Sequence, residues 1–268
     1  VGDSRIWGIH MIKILDKKYE KKVIEYLNLE KEINTFNLQE IQNYGFENVF
    51  YKIYSDIDEF GNIKGILFKC FEYLTFYAYK DFDVDGFCEF ISDMEFSEIS
   101  GKSSCVDIIA EKLGLLKYRK VHLCELEEIN EENKDLDCNL KLKKINVFNI
   151  KRVVNLYEQI TEFQNTTLEG LRSNLKSGRG YCIEYRKKII SMAKSTAENK
   201  NTAMIIGVGT HPKYRNQGLA TKCLIKLCEE LLKEGIKPCL FYDNEEAGKL
   251  YRKLGFKRID EWTVYYKD

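Results

Sequence analysis

Apolar positions along this chain alternate between helical and strand spacing, and they do so twice in the same order. The first half predicts a helix around Tyr19 to Leu27 and another from Glu30 towards Ile41. Three strands follow, Val49 to Ile57, Ile63 to Cys70 and Tyr73 to Tyr79, with a Gly61-Asn62 turn between the first two. Val84, Phe87, Cys88 and Ile91 then fall on one helix face. A short strand near Phe96, a helix from Lys102 to Leu113 and a strand from Tyr118 to Leu126 complete the succession ααβββαβαβ.

Between Glu127 and Lys144 the pattern lapses into charge, with Glu127-Glu128, Glu131-Glu132 and Lys143-Lys144 and no aromatic residue, as in an exposed linker. This places a first domain at 1–130, a linker at 131–144 and a second domain at 145–268. The second half opens with a helix carrying Ile150, Val153, Val154 and Tyr157 on one side. A second helix is announced by the capping-box pattern Thr166-x-x-Glu169, followed by Leu171 and Leu175. Strands at Tyr181 to Tyr185, Ile189 to Thr196 and Thr202 to Thr210 come next. A helix from Gln217 to Glu234, a strand through Leu240, a helix from Asn244 to Leu254 and a strand from Phe256 to Tyr266 restore the order of the first half. Repetition of elements without marked repetition of residues suggests a tandem of one fold.

The most informative stretch joins the strand ending at Thr210 to the helix after Gln217. Pro212 cannot donate to a sheet ladder and ends the strand, while Gly235 ends the helix. The loop between them presents the free N–H groups and positive dipole end of a helix start, which suit phosphate oxygens. Gly218 and the small Ala220 allow close approach, and Arg215 adds a full charge.

Arg215-x-x-Gly218-x-Ala220 resembles the pyrophosphate loop of the GNAT acetyltransferase superfamily. Downstream, Asn244-x-x-Ala247 and Tyr251-x-x-x-Gly255-Phe256 resemble that family's later elements at similar separation. The resemblance, direct only in the second half, implies an α/β (α+β) fold of two such domains, each a mixed, mostly antiparallel sheet flanked by helices. It implies acetyl-CoA as cosubstrate, no metal, and acetyl transfer to a primary amine by direct attack on the thioester. Val208, Gly209 and Thr210 would pair with the pantetheine arm, and a backbone N–H of that strand would stabilise the oxyanion. Arg215, Asn216, Gln217, Gly218, Leu219, Ala220 and Thr221 would hold the pyrophosphate, with Asn244 at the pantetheine amide or capping its own helix. Tyr251 would protonate the leaving thiolate, or else belong to the inward stripe of Ala247, Leu250 and Leu254. Glu198, at a hairpin, is the candidate general base, against the plainer role of a solvated turn carboxylate. His211 sits better to touch the coenzyme than to take an amine proton, and Cys239, inside a strand, suits an inert thiol.

Where the second half has this loop, the first has Lys80-Asp81-Phe82-Asp83-Val84-Asp85-Gly86, whose carboxylates would repel a pyrophosphate. The first half is therefore expected to be a degenerate copy without a coenzyme loop. Ser100-Gly101-Lys102-Ser103 resembles part of a nucleotide P-loop, but Phe96 stands where the leading glycine belongs, which favours an ordinary capped helix start.

Composition narrows the partners. The chain has 268 residues, enough for two cores, and 42 basic against 42 acidic side chains leave no global field for nucleic acid or an acidic membrane. Nine cysteines without C-x-x-C pairs and only three histidines support neither a disulfide framework nor a zinc site, so a reducing cytoplasm is expected. There is no long apolar span and no secretory signal pattern at the N-terminus, and Met11 is a candidate start. The acceptor, a small-molecule amine or a peptide or protein amine, is not named by any residue pattern, and neither is the oligomeric state. A coenzyme-binding regulatory module without catalysis is the competing function.

Overall fold

The computed structural model describes residues 12–131, 140–163, 170–172 and 177–267. Met11, the middle of the expected linker and the Thr166-x-x-Glu169 motif lie outside them. The chain divides into two units: one holds the residues up to Val121 together with those from Asp260 onward, the other holds His122–Ile259.

In the first unit, β1 (Lys13–Ile14), β2 (Tyr51–Ile57), β3 (Ile63–Cys70) and β4 (Tyr73–Tyr77) run antiparallel in turn. β5 (Glu98–Lys102) then lies parallel to β4. The sixth strand is supplied by the end of the chain, with Trp262 opposite Lys102 and Tyr266 opposite Glu98. Helices α1 (Glu20–Leu27), α2 (Thr35–Tyr44), α3 (Val84–Ser92) and α4 (Ser103–Leu113) flank this sheet. Phe87, Ile91, Val106 and Ile109 from α3 and α4 pack with Leu67, Phe76 and Ile99 in one core. α2 starts later than its apolar pattern suggests. Asn34 and Thr35 bond back through their side chains to the carbonyls of Leu27, Glu30, Lys31 and Glu32, a local alternative to the helix ladder.

The second unit repeats the arrangement with β7 (Leu142–Lys144), β8 (Gly180–Tyr185), β9 (Lys188–Thr196), β10 (Thr202–Thr210) and β11 (Lys237–Tyr242). The first four pair antiparallel, and β11 joins β10 in parallel. The sixth place is taken by the His122–Glu125 end of β6 (Lys117–Glu125), antiparallel to β11. The last strand of each half, β6 and β12 (Lys257–Tyr266), thus contributes to the unit built mainly from the other half. Strand spacing in a sequence does not specify a strand's neighbour, so the succession of elements was readable and this exchange was not.

Alternation decides what the second sheet buries. Tyr181 and Ile183 join the core under α6 (Leu219–Lys233) and α7 (Glu245–Leu254), while Cys182 points to the opposite core with α5 (Ile150–Tyr157). α6 buries Leu219, Cys223, Leu224, Leu227, Cys228 and Leu231, each large aliphatic side chain worth roughly 1.5–3 kcal/mol of transfer free energy. Among the described residues no helix is long and apolar enough to cross a membrane.

Ser100-Gly101-Lys102-Ser103 has a structural explanation. Ser100, Gly101 and Lys102 are strand residues, and Lys102 Nζ pairs with Glu30 at 2.6 Å and Asp260 at 3.6 Å. α4 begins at Ser103 without a side-chain cap, so the capped start expected there is absent; the Ser103 hydroxyl instead bonds Thr263 at 2.7 Å. Gly101 is required because a Cβ there would stand 2.3 Å from the Phe76 carbonyl oxygen. Gly101→Ala is therefore expected to lower unfolding stability by about 1–3 kcal/mol in urea titration, and an unchanged midpoint would contradict the close approach.

Candidate functional site

β10 and β11 pair from Thr202 opposite Lys237 to Ile205 opposite Leu240. Just beyond, the register of β10 against β9 shifts between Ile206 and Gly209, and Gly207 adopts a left-handed φ of 60°. Such a bulge re-aims main-chain groups that would otherwise serve the ladder. A cleft of about 500 Å³ opens there, with Val208, Gly209 and Thr210 on one wall and Phe241, Tyr242, Asp243 and Asn244 on the other. Gly209 permits this shape: a Cβ on it would meet Phe163 at 2.7 Å and Ile160 at 2.9 Å, two further lining residues.

One end of the cleft is closed by segment 215–221. Gly218 occupies the N-cap of α6 with φ 69° and, lacking a side chain, supplies no side-chain cap. Asn216 is also left-handed, at φ 61°. The open N–H groups of that turn and the dipole behind them therefore face the cleft. Arg215 Nε donates to the Thr210 carbonyl at 3.3 Å, tying the guanidinium to the end of β10. Every residue expected at the pyrophosphate and pantetheine, Val208 to Thr210, Arg215 to Thr221 and Asn244, lines this one space.

Asn244 Oδ1 accepts from the Glu246 N–H at 2.9 Å, so it caps α7 while facing the cleft. Tyr251 lines the cleft and is also only 8% exposed within the core, packed edge-on against Phe256 and tilted against Tyr242, each at 5.8 Å. Burial pushes its hydroxyl up to about 12, with the Cys124 and Cys228 thiols adding to the shift. The phenol stays protonated far above neutral pH.

Glu198 is not brought to these residues. It follows β9, at the end of β10 remote from the cleft, where Arg179 donates to it at 3.0 Å from Nε and 2.8 Å from Nη2, and the Ser195 hydroxyl bonds it as well. His211 lines a neighbouring pocket rather than the cleft, and its Nδ1 accepts from the Lys213 N–H at 3.2 Å. Cys239 is buried.

Sequence reasoning missed what lies under the bulge. Lys194 on β9 is 2% exposed and has no side-chain partner among the described residues; Tyr157 on α5 is 3% exposed, and its hydroxyl has none either. Both converge on Gly207, where a Cβ would stand 2.0 Å from the Tyr157 hydroxyl and 3.2 Å from Lys194 Cε. A lysine inside the apolar run Ile189 to Thr196, and a glycine inside a strand, were the available signals. Burial lowers Lys194 from 10.5 to about 8, so the buried ion costs roughly 3 kcal/mol.

The corresponding place in the first unit is built differently. Asp83 caps α3, its Oδ1 accepting from the Gly86 N–H at 2.9 Å, and its Oδ2 lies 2.3 Å from where a Gly86 Cβ would be. A carboxylate already satisfies that helix start.

Comparison with known proteins identifies the family. The family model for GNAT acetyltransferase matches residues 112–265, more than half of the chain. The chain belongs to the GNAT acetyltransferase family. A soybean (Glycine max) protein named histone acetyltransferase TAP1 is 32% identical over 98 residues, 37% of this chain and 42% of its own length. A second soybean protein, probable acetyltransferase TAP2, is 32% identical over 76 residues, 28% of this chain and 31% of its own. The chain thus spans less than half the length of these curated relatives. In fold it is similar to the GCN5-related N-acetyltransferase of Sphaerobacter thermophilus, with a TM-score of 0.68 at 10% identity over 96% of this chain and 95% of the other. It is likewise similar to a tandem GNAT protein from the clavulanic acid biosynthesis pathway, with a TM-score of 0.62 at 11% identity over 96% and 98%.

Lys194 yields a prediction with a definite sign. The ion is penalised below pH 8, and between about 8 and 10.5 the unfolded chain binds a proton that the folded one does not, so stability rises with pH across that window. Lys194→Met should be more stable than the parent at pH 7, by up to roughly 3 kcal/mol, with the gap narrowing from pH 8 to 10.5. Urea unfolding over that range measures it; a gap that widens with pH would refute the buried cation.

Proposed function

We propose that this protein is an acetyl-CoA-dependent N-acetyltransferase whose second half holds the coenzyme and carries acetyl to a primary amine by direct attack on the thioester. One observation carries the reading. The helix start at Gly218 has no side-chain cap, and its main-chain donors open into the cleft where β10 and β11 stop pairing. The diphosphate fits against segment 215–221, and the pantetheine arm lies along Val208, Gly209 and Thr210. The thioester then reaches the end of the cleft lined by Tyr251, Ile160 and Phe163.

In the transfer, the amine nitrogen bonds to the thioester carbon and the carbonyl oxygen becomes an oxyanion, for which a main-chain N–H of β10 beside the bulge is the donor. Collapse breaks the carbon–sulfur bond. Tyr251 gives its proton to the departing thiolate and recovers one from solvent as the amine loses its own. Glu198 is committed to Arg179, and Asp243 is the only carboxylate lining the cleft among the described residues. The first half, with the Asp83 carboxylate seated on its helix start, serves as a degenerate copy that takes no coenzyme. No disulfide joins the described cysteines, in keeping with a reducing setting. The acceptor is a small-molecule, peptide or protein amine. The name of the soybean relative puts lysine-bearing histone peptides on the panel to be assayed.

Release of free thiol from acetyl-CoA, followed across small amines and lysine peptides, is the direct trial. Coenzyme binding without turnover on any acceptor would instead identify a regulatory module. Tyr251→Phe is expected to lower kcat by about 10²–10⁴ with little change in KM for acetyl-CoA, and unchanged kcat would remove Tyr251 from the chemistry. Gly218→Glu directs a carboxylate at the open helix start and should abolish CoA binding in calorimetry while circular dichroism stays native; retained affinity would refute the placement of the diphosphate.

A further inference from the structure

Lys194 and Tyr157 take no part in the transfer described above, and each lacks a partner its chemistry calls for. Lys194 is a buried cation without a counter-ion among the described residues. Opposite it stand Gly180 on β8 and Ile206 on β10, neither with a polar side chain. The Tyr157 hydroxyl beside it is a donor without an acceptor. Burial alone lowers the one and raises the other, so no charged side chain acts on either. A cation and a phenol that converge on one point with nothing to receive their hydrogens form a receptor for an anion.

The first unit shows that the fold does not require such a pair. Parallel pairing of β4 with β5 ends at Phe76 and Gly101, as that of β10 with β11 ends at Ile205 and Leu240. The next residue of β4, Tyr77, faces Ile66 on β3, where Ile206 of β10 faces Lys194 on β9. Ile66 is fully buried, an ordinary core choice. α1 also carries a tyrosine in its last turn, but Tyr26 Oη accepts from the Tyr79 N–H at 2.9 Å and donates to the Lys64 carbonyl at 2.7 Å. That hydroxyl is satisfied within the fold, and the one at the end of α5 is not.

The pair adjoins the end of the cleft assigned to the thioester. Gly207 faces Lys194 and Tyr157, and two residues further on Gly209 faces Ile160 and Phe163. Phe163 lines the cleft, and its ring lies 4.6 Å from that of Tyr157. Resting on the acetyltransferase reading above, we propose that the acceptor is a short molecule bearing a carboxylate as well as its primary amine, and that Lys194 Nζ and Tyr157 Oη hold the carboxylate while the amine meets the thioester. Two donors suit the two oxygens of a carboxylate, and one cation suits its single charge. Entry requires the Phe163 ring to swing away from Tyr157. Lys194 and Tyr157 thus set specificity without touching the reacting atoms.

The test follows thiol release from acetyl-CoA by the full chain, with the primary protein amino acids, β-alanine and γ-aminobutyrate each assayed beside its carboxamide. The best acid should exceed its amide in kcat/KM by roughly tenfold to a hundredfold, as befits hydrogen bonds to a charged group, with the difference lying in KM. Lys194→Met, expected to fold more stably than the parent, should bring this ratio close to one, and Tyr157→Phe should lower it in the same direction. A ratio near one in the parent overturns the proposal. So does a ratio unchanged in Lys194→Met, or an equal loss for acids and amides, which is what a merely structural pair would give. Acetate added to the amide assays, against chloride at the same ionic strength, separates the sources of the anion: amides that acetate restores to the rate of the acids would assign the seat to a free ion and overturn the acceptor assignment. If the parent binds CoA but acetylates no amine, the acetyltransferase reading fails and this inference with it; if it acetylates alkylamines or lysine peptides and prefers no acid, only the carboxylate seat fails.

Discussion

Main-chain hydrogen-bonding groups that are left without a sheet partner must find another, and the second unit is arranged around this requirement. Pairing of β10 with β11 ends at Ile205 and Leu240, and the bulge at Gly207 then re-aims the rest of β10. Three glycines fix the form of the cleft beyond: Gly207 lets the chain turn left-handed, Gly209 lets it approach Ile160 and Phe163, and Gly218 leaves the first turn of α6 open. A site made of main-chain donors asks little of side-chain chemistry, which is why an ordinary composition accommodates it.

The two units show how small a change converts such a place from open to closed. Both have four antiparallel strands, a parallel fifth and an antiparallel sixth, with a helix starting after the fourth strand. At the start of α3, Asp83 satisfies a main-chain donor with its own carboxylate and fills the space beside Gly86. At the start of α6, Gly218 brings no side chain at all, and a Cβ built on it meets nothing within 4 Å. A carboxylate stabilises a helix start by typically about 1 kcal/mol. The first unit keeps that stabilisation, and the second leaves its donors to a ligand.

Much of this was legible in the sequence because its causes are local. Pro212, Gly218 and Gly235 act over a few residues and so predict the phosphate-facing loop, while the roles of Val208 to Thr210, Arg215 to Thr221 and Asn244 came from the resemblance to the GNAT family; the structure brings all of them around one space. Leu219 is buried in the core as well as lining the cleft, and Ala220 beside it turns to the cleft. The pairing of Glu198 with Arg179, and the exchange of β6 and β12, depend on contacts between residues far apart in the chain, and spacing does not encode those. Short edge strands such as β1 and β7 carry too few residues to show a period.

Lys194 shows the stability cost of this construction most directly. An apolar residue of the same length would satisfy the core with α5 better than a cation that burial alone destabilises, and the neighbouring Tyr157 hydroxyl is likewise without a partner among the described residues. Both sit against Gly207, the residue whose left-handed conformation re-aims β10. A fold selected only for stability would fill this position with leucine or methionine, since most such replacements are neutral or favourable. The place where local preference and observed residue disagree is thus the place where the strand turns towards the cleft.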